Sequence, residues 1–279
     1  MSLTTKSGQN IAPLFYGTAW KKASTARLVG LALKHGFRAI DTACQPRHYN
    51  EEQVGEAVSK SNIPREDLFL QTKFTMVGGQ DPDTVPYDVN ASLEEQVRQS
   101  FAKSLQNLRT DYLDSLLLHS PARTLKDNLS MLSVLNEFKN KGKVRYLGIS
   151  NIYSISVLKS ICVSVPESTI QIIQNRFYPE TSYDVDIRQY CQENGMIYQS
   201  FWTLTGNLHI LRSRVVKDIA AKYGMSPECV FYRFCVQEGI TVLDGTTSEQ
   251  HMKEDLSVVN EDNFALDQDD MNQIRTLLY

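Results

Sequence analysis

The chain has 279 residues, 42% hydrophobic and 22% charged, and 29 basic against 32 acidic side chains leave a formal charge of −3. That balance offers no basic surplus to neutralise a phosphate backbone, so nucleic-acid binding has no electrostatic footprint. The acidic excess is too small to enforce disorder, and no apolar run approaches the ~20 residues of a membrane helix.

The first ten residues, Met1 to Asn10, are polar and lack the apolar core of a secretory signal. The end, Leu277-Leu278-Tyr279, is no peroxisomal or retention address, so the cytoplasm is the expected compartment. Five cysteines, Cys44, Cys162, Cys191, Cys229 and Cys235, form no C-x-x-C pair and read as reduced, mostly buried thiols. No metal site is expected.

In chain order, Pro13 to Gly17 is a first strand. Leu28, Leu31, Ala32 and His35 recur at helical spacing before the stop Gly36, and Phe37 to Asp41 is the second strand. Leu68 to Lys73 is the third. A helix starts at Ser92, where Ser92 and Glu95 make a capping box, with Leu93, Val97, Phe101, Leu105 and Leu108 as its stripe. Tyr112 to Leu118 is a strand, Leu129 to Lys141 a helix, Val144 to Ile149 a strand and Tyr153 to Cys162 a helix. Ile170 to Gln174 is the next strand, Asp184 to Asn194 a helix, and Met196 to Phe201 a strand. Leu211 to Tyr223 is an extra helix, and Ser226-Pro227 opens another as cap and first-turn proline. Ile240 to Leu243 is the last strand, followed by helices over Glu249 to Val258 and Asp267 to Leu278.

Eight strands alternating with helices favour a parallel sheet, and eight such units in roughly 250 residues match a closed (β/α)₈ TIM barrel. No linker or composition break divides residues 1–279, so one domain is expected. The competing fold, an open doubly wound sheet, calls for a G-x-G-x-x-G turn after its first strand. The sequence has none, and Gly78-Gly79 reads as a loop dipeptide.

In such a barrel the active site lies where the strands end. The predicted ends are Asp41, Lys73, His119, Ser150 with Asn151, Gln174 and Phe201. Taken singly, these are a turn cap, a solvated amine and a structural imidazole. Together, an acid, an amine, an imidazole and amides on one face describe a site. Tyr49 follows the second strand. A phenol titrates near 10, and a nearby ammonium is expected to lower that value. Tyr49 then becomes a proton donor for carbonyl reduction, which takes a hydride at carbon and a proton at oxygen.

The segments Gly17-Thr18-Ala19-Trp20, Gly36 to Ala43, Tyr49 to Gly55, Tyr112 to His119 and Gly148-Ile149-Ser150-Asn151 resemble an aldo-keto reductase over nearly the full length. The likeness is to the short, single-domain, diketogluconate-reductase-like branch of fungi and bacteria. The resemblance implies a barrel that uses NADPH, with NADH also admitted, and a tetrad of Asp41, Tyr49, Lys73 and His119. Tyr49 gives the proton, Lys73 paired with Asp41 tunes it, and His119 orients the carbonyl. Ser150, Asn151 and Gln174 hold the carboxamide of the cofactor, Phe201 stacks on its ring, and Trp20 and Trp202 wall the substrate pocket. A monomer and a small carbonyl substrate are the implied state and partner.

Two departures stand out. The family places its tyrosine about five residues after the aspartate, which here is Pro46, and Tyr49 comes after the run Cys44-Gln45-Pro46-Arg47-His48. Counted back from Asn50-Glu51, the slot falls on His48, so His48 and Tyr49 both stand for the acid. The phosphate loop, Gly245 to Lys253, has Gly245 and His251 where cations are usual. Thr246, Ser248, His251 and the amides of the next helix are left to hold a phosphate, with Lys253 as a source of charge. The expected activity is NADPH-dependent reduction of aldehydes or ketones. The competing reading is a nicotinamide-cofactor-binding redox-sensing or interaction subunit with weak or no turnover, and a barrel hydrolase or isomerase lacks the second strand-end carboxylate. The chain ends soon after its last predicted helix, from which an open pocket and broad substrate range are expected.

Overall fold

The computed structural model describes Leu3–Thr4, residues 10–260 and residues 264–278, so most of the polar N-terminal stretch lies outside the described residues. Eight strands follow in chain order: β1 (Leu14–Gly17), β2 (Ala39–Asp41), β3 (Phe69–Phe74), β4 (Leu113–Leu118), β5 (Val144–Ser150), β6 (Ile172–Arg176), β7 (Ile197–Phe201) and β8 (Ile240–Asp244). They are hydrogen-bonded neighbour to neighbour in a closed order, the barrel expected from their alternation with helices. Leu3–Thr4 and Asn10–Ile11 form a separate antiparallel ribbon. The chain packs as two compact units, Tyr16–Ile173 and Met1–Phe15 with Gln174–Tyr279. No described helix is long and apolar enough to cross a membrane.

The unit Tyr16–Ile173 holds α1 (Thr25–His35), α2 (Glu51–Lys60), α3 (Leu93–Leu108), α4 (Leu125–Asn140) and α5 (Ile155–Cys162). Leu28, Val29, Ala32 and Leu33 bury one face of α1, and Gly36 ends it in the left-handed region at φ 111°. Asn50, Ser92, Thr124 and Ser154 each accept the amide three residues on, capping α2 to α5. Such a cap contributes about 1 kcal/mol. Helix α2 was absent from the expected elements, although Asn50 gives it a proper start. Phe101 of α3 and Phe138 of α4 stack at 4.1 Å between ring centres. At the beginning of β4, Asp114 is buried between Arg65 at 2.8 Å and Arg145 at 2.9 Å, and it also accepts Leu70 N at 2.9 Å. This cluster binds the strand starts, at the far end of β4 from His119.

The other unit holds α6 (Val185–Glu193), α7 (Leu208–Leu211), α8 (Arg214–Tyr223), α9 (Pro227–Gln237), α10 (Glu249–Asn260) and α11 (Gln268–Arg275). The single helix expected over Leu211 to Tyr223 is broken, because the Ser213 side chain takes Val216 N and starts α8 anew. The last helix is shorter than expected. Asp267 is its cap, and Thr276–Leu278 tightens to a 3₁₀ turn.

Gly55 of α2 faces α3 with no room for a side chain. A Cβ there would lie 2.1 Å from the Asn107 carbonyl oxygen and 2.8 Å from Leu108 Cα. Both are backbone atoms, so relief requires the helices to separate. Gly55→Ala is expected to destabilise the protein by about 1–3 kcal/mol despite the better helix propensity of alanine, read as a lower urea midpoint. An unchanged midpoint would show that the helices can part freely.

Candidate active site

Parallel register sets the site. Asp41 ends β2 opposite Gln71 of β3, and Lys73 follows two residues later, on the same face of that strand. Lys73 Nζ donates to both oxygens of Asp41 at 2.7 Å and to the Thr42 carbonyl at 2.9 Å. Three acceptors match its three protons. Gln71 Nε2 also donates to Asp41 Oδ1 at 2.8 Å. The lysine and aspartate side chains are only 1% and 3% exposed. Burial lowers the Lys73 pKa, and the charge and hydrogen bonds of Asp41 oppose that shift.

His119 follows β4 directly, and its amide donates to the Phe74 carbonyl at 2.8 Å, which brings it level with the end of β3. Its Nδ1 lies 2.6 Å from Thr75 Oγ1. Burial, then the charge of Lys73, holds its pKa down to about 3, so the imidazole is neutral near neutrality. Thr75 was not singled out from sequence, and no local pattern marks it.

Tyr49 enters from the loop before α2. Its ring centre lies 5.3 Å from Lys73 Nζ and 5.9 Å from the His119 ring, edge to face. His48 stacks on Trp20 with ring centres 3.8 Å apart. Gln45 fixes its tautomer. Gln45 Nε2 donates to the Gly79 carbonyl, so Oε1 accepts at 3.0 Å and His48 Nδ1 carries the proton. Burial and the charge of Arg47 lower the His48 pKa. The structure therefore gathers Asp41, Lys73, His119 and Tyr49, while His48 packs against Trp20 and acts on His119 only through its charge.

One expectation is reversed. Lys73 was expected to lower the Tyr49 phenol, yet its pKa is raised well above the ordinary value, first by burial and then by the charge of Asp41. The ammonium is spent on its own partner, and the phenol lies in a dry surrounding with the Asp41 carboxylate acting on it. Tyr49 rests as a protonated donor.

Behind Tyr49, Glu51 is buried at the first position of α2. It accepts from Thr72 Oγ1 at 2.6 Å, Ser104 Oγ at 2.9 Å and Asn107 Nδ2 at 3.2 Å. Burial raises its pKa and these donors oppose the shift. Ser150 ends β5 and is buried. Asn151 adopts a left-handed φ of 55° and donates from Nδ2 to the His119 carbonyl at 2.9 Å and to Ser150 Oγ at 3.2 Å. Its αL geometry is uncommon outside glycine and suits a strand end that must turn at once.

The other unit carries the remaining residues. Gln174 does not end its strand, because β6 is shifted two residues onward and closes at Arg176. Gln174 Nε2 donates to Gln199 Oε1 at 2.9 Å, with both side chains buried. The Arg176 guanidinium lies 3.9 Å over Trp202 and 5.9 Å from the Phe201 ring centre. Sequence reading missed Arg176 by ending the strand with its apolar run. After β8, the Thr246 amide donates to Asp244 at 2.7 Å, and Thr246 Oγ1 accepts Ser248 N at 3.1 Å and lies 3.5 Å from His251 Nδ1. Thr246, Ser248 and His251 thus form one cluster at the start of α10. Lys253 is not aimed at it as free charge, since it pairs with Glu249 at 3.7 Å.

The aldo/keto reductase family matches residues 12–278, and the chain belongs to it. Among relatives, glyoxal reductase of Bacillus subtilis (strain 168) is 30% identical over 250 residues, 89% of this chain and 82% of the relative. Glycerol 2-dehydrogenase (NADP(+)) of Saccharomyces cerevisiae is 27% identical over 304 residues, 99% and 90% of the two chains. The solved aldo/keto reductase of Brucella melitensis is 26% identical, covers 99% of each chain and has a TM-score of 0.82. The protein is an oxidoreductase of this family, and its chemistry is the reduction of carbonyl groups.

The His119 geometry carries a pH dependence. In the unfolded chain imidazole takes its proton near 6.5, whereas in the folded protein it does so at about 3. The unfolded state therefore binds the proton first. This contribution to stability is complete above about pH 6.5 and is lost as pH falls toward 3. Urea midpoints of the wild type should fall between pH 7 and pH 4, and His119→Gln should have a shallower slope. Equal slopes would show that His119 is not the group responsible.

Proposed function

We propose that the chain is an NADPH-dependent reductase of aldehydes and ketones in which Tyr49 supplies the proton, His119 orients the carbonyl, and the Lys73–Asp41 pair sustains the phenol. The observation that carries this reading is the convergence of Tyr49 on Lys73 at 5.3 Å and on His119 at 5.9 Å, while His48 stacks on Trp20. A relative named for NADP(+) supports the cofactor. The cytoplasm as compartment and a single domain over 1–279 belong to the same reading, as does the monomeric state that the resemblance implies.

The residues fit a nicotinamide cofactor by their chemistry. Ser150 Oγ accepts from Asn151 and keeps its own proton to give, and Asn151 Oδ1, which accepts from the Tyr153 hydroxyl at 3.0 Å, has acceptor capacity left, so a neutral carboxamide finds a donor and an acceptor there. Ser150, Asn151, Gln174 and Phe201 are the contacts to the nicotinamide that the resemblance implies. Thr246, Ser248, His251 and the first amides of α10 are those to its phosphate end. When bound, NADPH supplies the hydride.

The remaining work falls to side chains. With the Thr75 hydroxyl donating to Nδ1, neutral His119 carries its own proton on Nε2, the tautomer that can donate to a carbonyl oxygen. Tyr49, held protonated by burial, passes its proton to that oxygen as the negative charge develops on it. The tyrosinate left behind is stabilised by the nearby Lys73 ammonium until a solvent proton restores it. The neutral resting pair is therefore suited to the reaction, because the charge it stabilises exists only after proton transfer.

The test is the loss of turnover on removing one oxygen. Tyr49→Phe should lower kcat with NADPH and an aldehyde panel by about 10²–10⁴, with NADPH affinity retained by tryptophan quenching. His48→Ala should keep kcat within a few-fold of wild type. A Tyr49→Phe enzyme that turns over normally, or an inactive His48→Ala, would move the proton donor to His48.

A further inference from the structure

Beside Tyr49, between the loop that precedes α1 and the start of α2, lies a groove of about 330 Å³. Trp20, Lys22, Arg47, His48, Tyr49 and Gln53 line it, and no acidic side chain does. Lys22 and Arg47 are exposed, and neither side chain forms an ion pair among the described residues. Gln53 adds a directed donor. Its Oε1 accepts Ala26 N at 3.1 Å, which leaves the amide NH₂ as its other end. The positive end of the α2 dipole lies at the same place, since Asn50, the cap of α2, also lines the groove.

The wall of this groove is held in an unfavourable backbone. Trp20 and Lys22, neither a glycine, take left-handed φ values of 63° and 50° within three residues. Such conformations persist where surrounding contacts over-determine them, and they cluster at ligand sites. Here the contacts are the Trp20 amide on the His48 carbonyl at 2.7 Å and the ring stack at 3.8 Å. Arg47 and His48 belong to the extra residues between Asp41 and Tyr49, so the lengthened loop supplies one cation and half of the aromatic wall.

We propose that this groove binds an acid group of the substrate, and that the preferred carbonyl compounds of this enzyme carry a carboxylate at the end remote from the carbonyl. Two cations and an amide without an opposing acid attract an anion, and the aromatic wall gives its carbon skeleton a face to lie on. Tyr49 lines the same groove, so an acid held there leaves the other end of the molecule beside the proton donor. The inference rests on the reading of Tyr49 as that donor, and it assigns a substrate class to the same site.

The test uses the full-length enzyme with matched substrates: 4-carboxybenzaldehyde against benzaldehyde, and succinic semialdehyde against butanal. kcat/KM should favour the acids by about tenfold at low salt, and the ratio should shrink in 0.3 M NaCl as screening shortens the reach of exposed charges. The double variant Lys22→Glu, Arg47→Glu should bring the ratio to one or below. Calorimetric binding of 4-carboxybenzyl alcohol to the NADP(+)-loaded wild type and double variant gives a readout independent of turnover. A wild-type ratio near one, or a high ratio that survives the charge reversal, overturns the proposal. So does a fall in NADPH affinity in the double variant, which would assign the cations to a cofactor phosphate. Glyceraldehyde 3-phosphate against glyceraldehyde separates the anions, and a preference for the phosphate alone also overturns it. If calorimetry shows charge-dependent binding of the acid while no carbonyl is reduced, the groove stands and the assignment of Tyr49 falls.

Discussion

The buried pair of Lys73 and Asp41 is the constraint around which the site is arranged. Two ions removed from water are tolerable only when their geometry is fixed and every proton has an acceptor. Register delivers that geometry, because the last residue of β2 sits beside the middle of β3 and the parallel ladder leaves no freedom to slide. Gln71 then pins the carboxylate and the Thr42 carbonyl takes the third ammonium proton. Removing one partner from such a pair costs about 3–5 kcal/mol, since the other is left as an uncompensated buried charge. The pair also sets the electrostatics around it. Its ammonium helps to keep His119 neutral, and its carboxylate helps to keep Tyr49 protonated. Each group therefore rests in the state a carbonyl oxygen requires of a hydrogen-bond donor.

Tyr49 reaches this pair by a second fixed link. Asn50 caps α2, Glu51 is its first residue, and the Glu51 carboxyl is tied to Thr72, which precedes Lys73 on β3. The helix that follows the tyrosine is thus anchored next to the lysine that the tyrosine faces. Ser104 and Asn107 of α3 complete the anchor, and the contact of Gly55 with the Asn107 carbonyl brings those two helices close enough to do so. The extra loop residues before Tyr49 can vary in length because the position of the ring is set from its C-terminal side. That is why an apparent mismatch in spacing from Asp41 leaves the phenol in place.

The strand ends were legible where an apolar run meets a polar residue or closes on an aromatic one, as at Asp41, Ser150 and Phe201, whereas Lys73 lies one residue before the end of β3 and His119 one residue after the end of β4. Gln174 does not follow that rule, since β6 continues through Gln174, Asn175 and Arg176, where hydrophobicity no longer marks the strand. Helix α2 escaped notice because its buried face includes Glu51, Gly55 and Ala57, which make a weak stripe. The sign of the Tyr49 shift could not be read from residue types. A lysine near a phenol lowers its pKa only if the lysine is electrically unpaired and the phenol is wet, and both conditions are tertiary. Likewise, Lys253 reads as spare charge in the sequence, but in α10 it lies four residues after Glu249, one helical turn away, and the two side chains pair.

The charge of the chain as a whole is close to neutral, so discrimination between ligands has to be local. At the start of α10 the local groups are mainly dipoles. Ser248 and Thr246 turn their oxygens to backbone amides, Asp244 accepts the Thr246 amide, and Asp255 has its pKa raised to about 8 by burial with Asp244 and Glu254 beside it. A phosphate held there would rely on amides and hydroxyls, because burial favours the uncharged form of Asp255 and Lys253 is paired with Glu249. Near Tyr49 the balance is the opposite, with Lys22 and Arg47 exposed and no acid on the groove. The fold thus separates two tasks that share the need to hold an anion. In the proposed reaction the proton transfer takes place in a desolvated interior whose one cation near Tyr49, Lys73, is paired with Asp41. In the proposed substrate groove the cations are exposed, so they add no buried charge to the barrel.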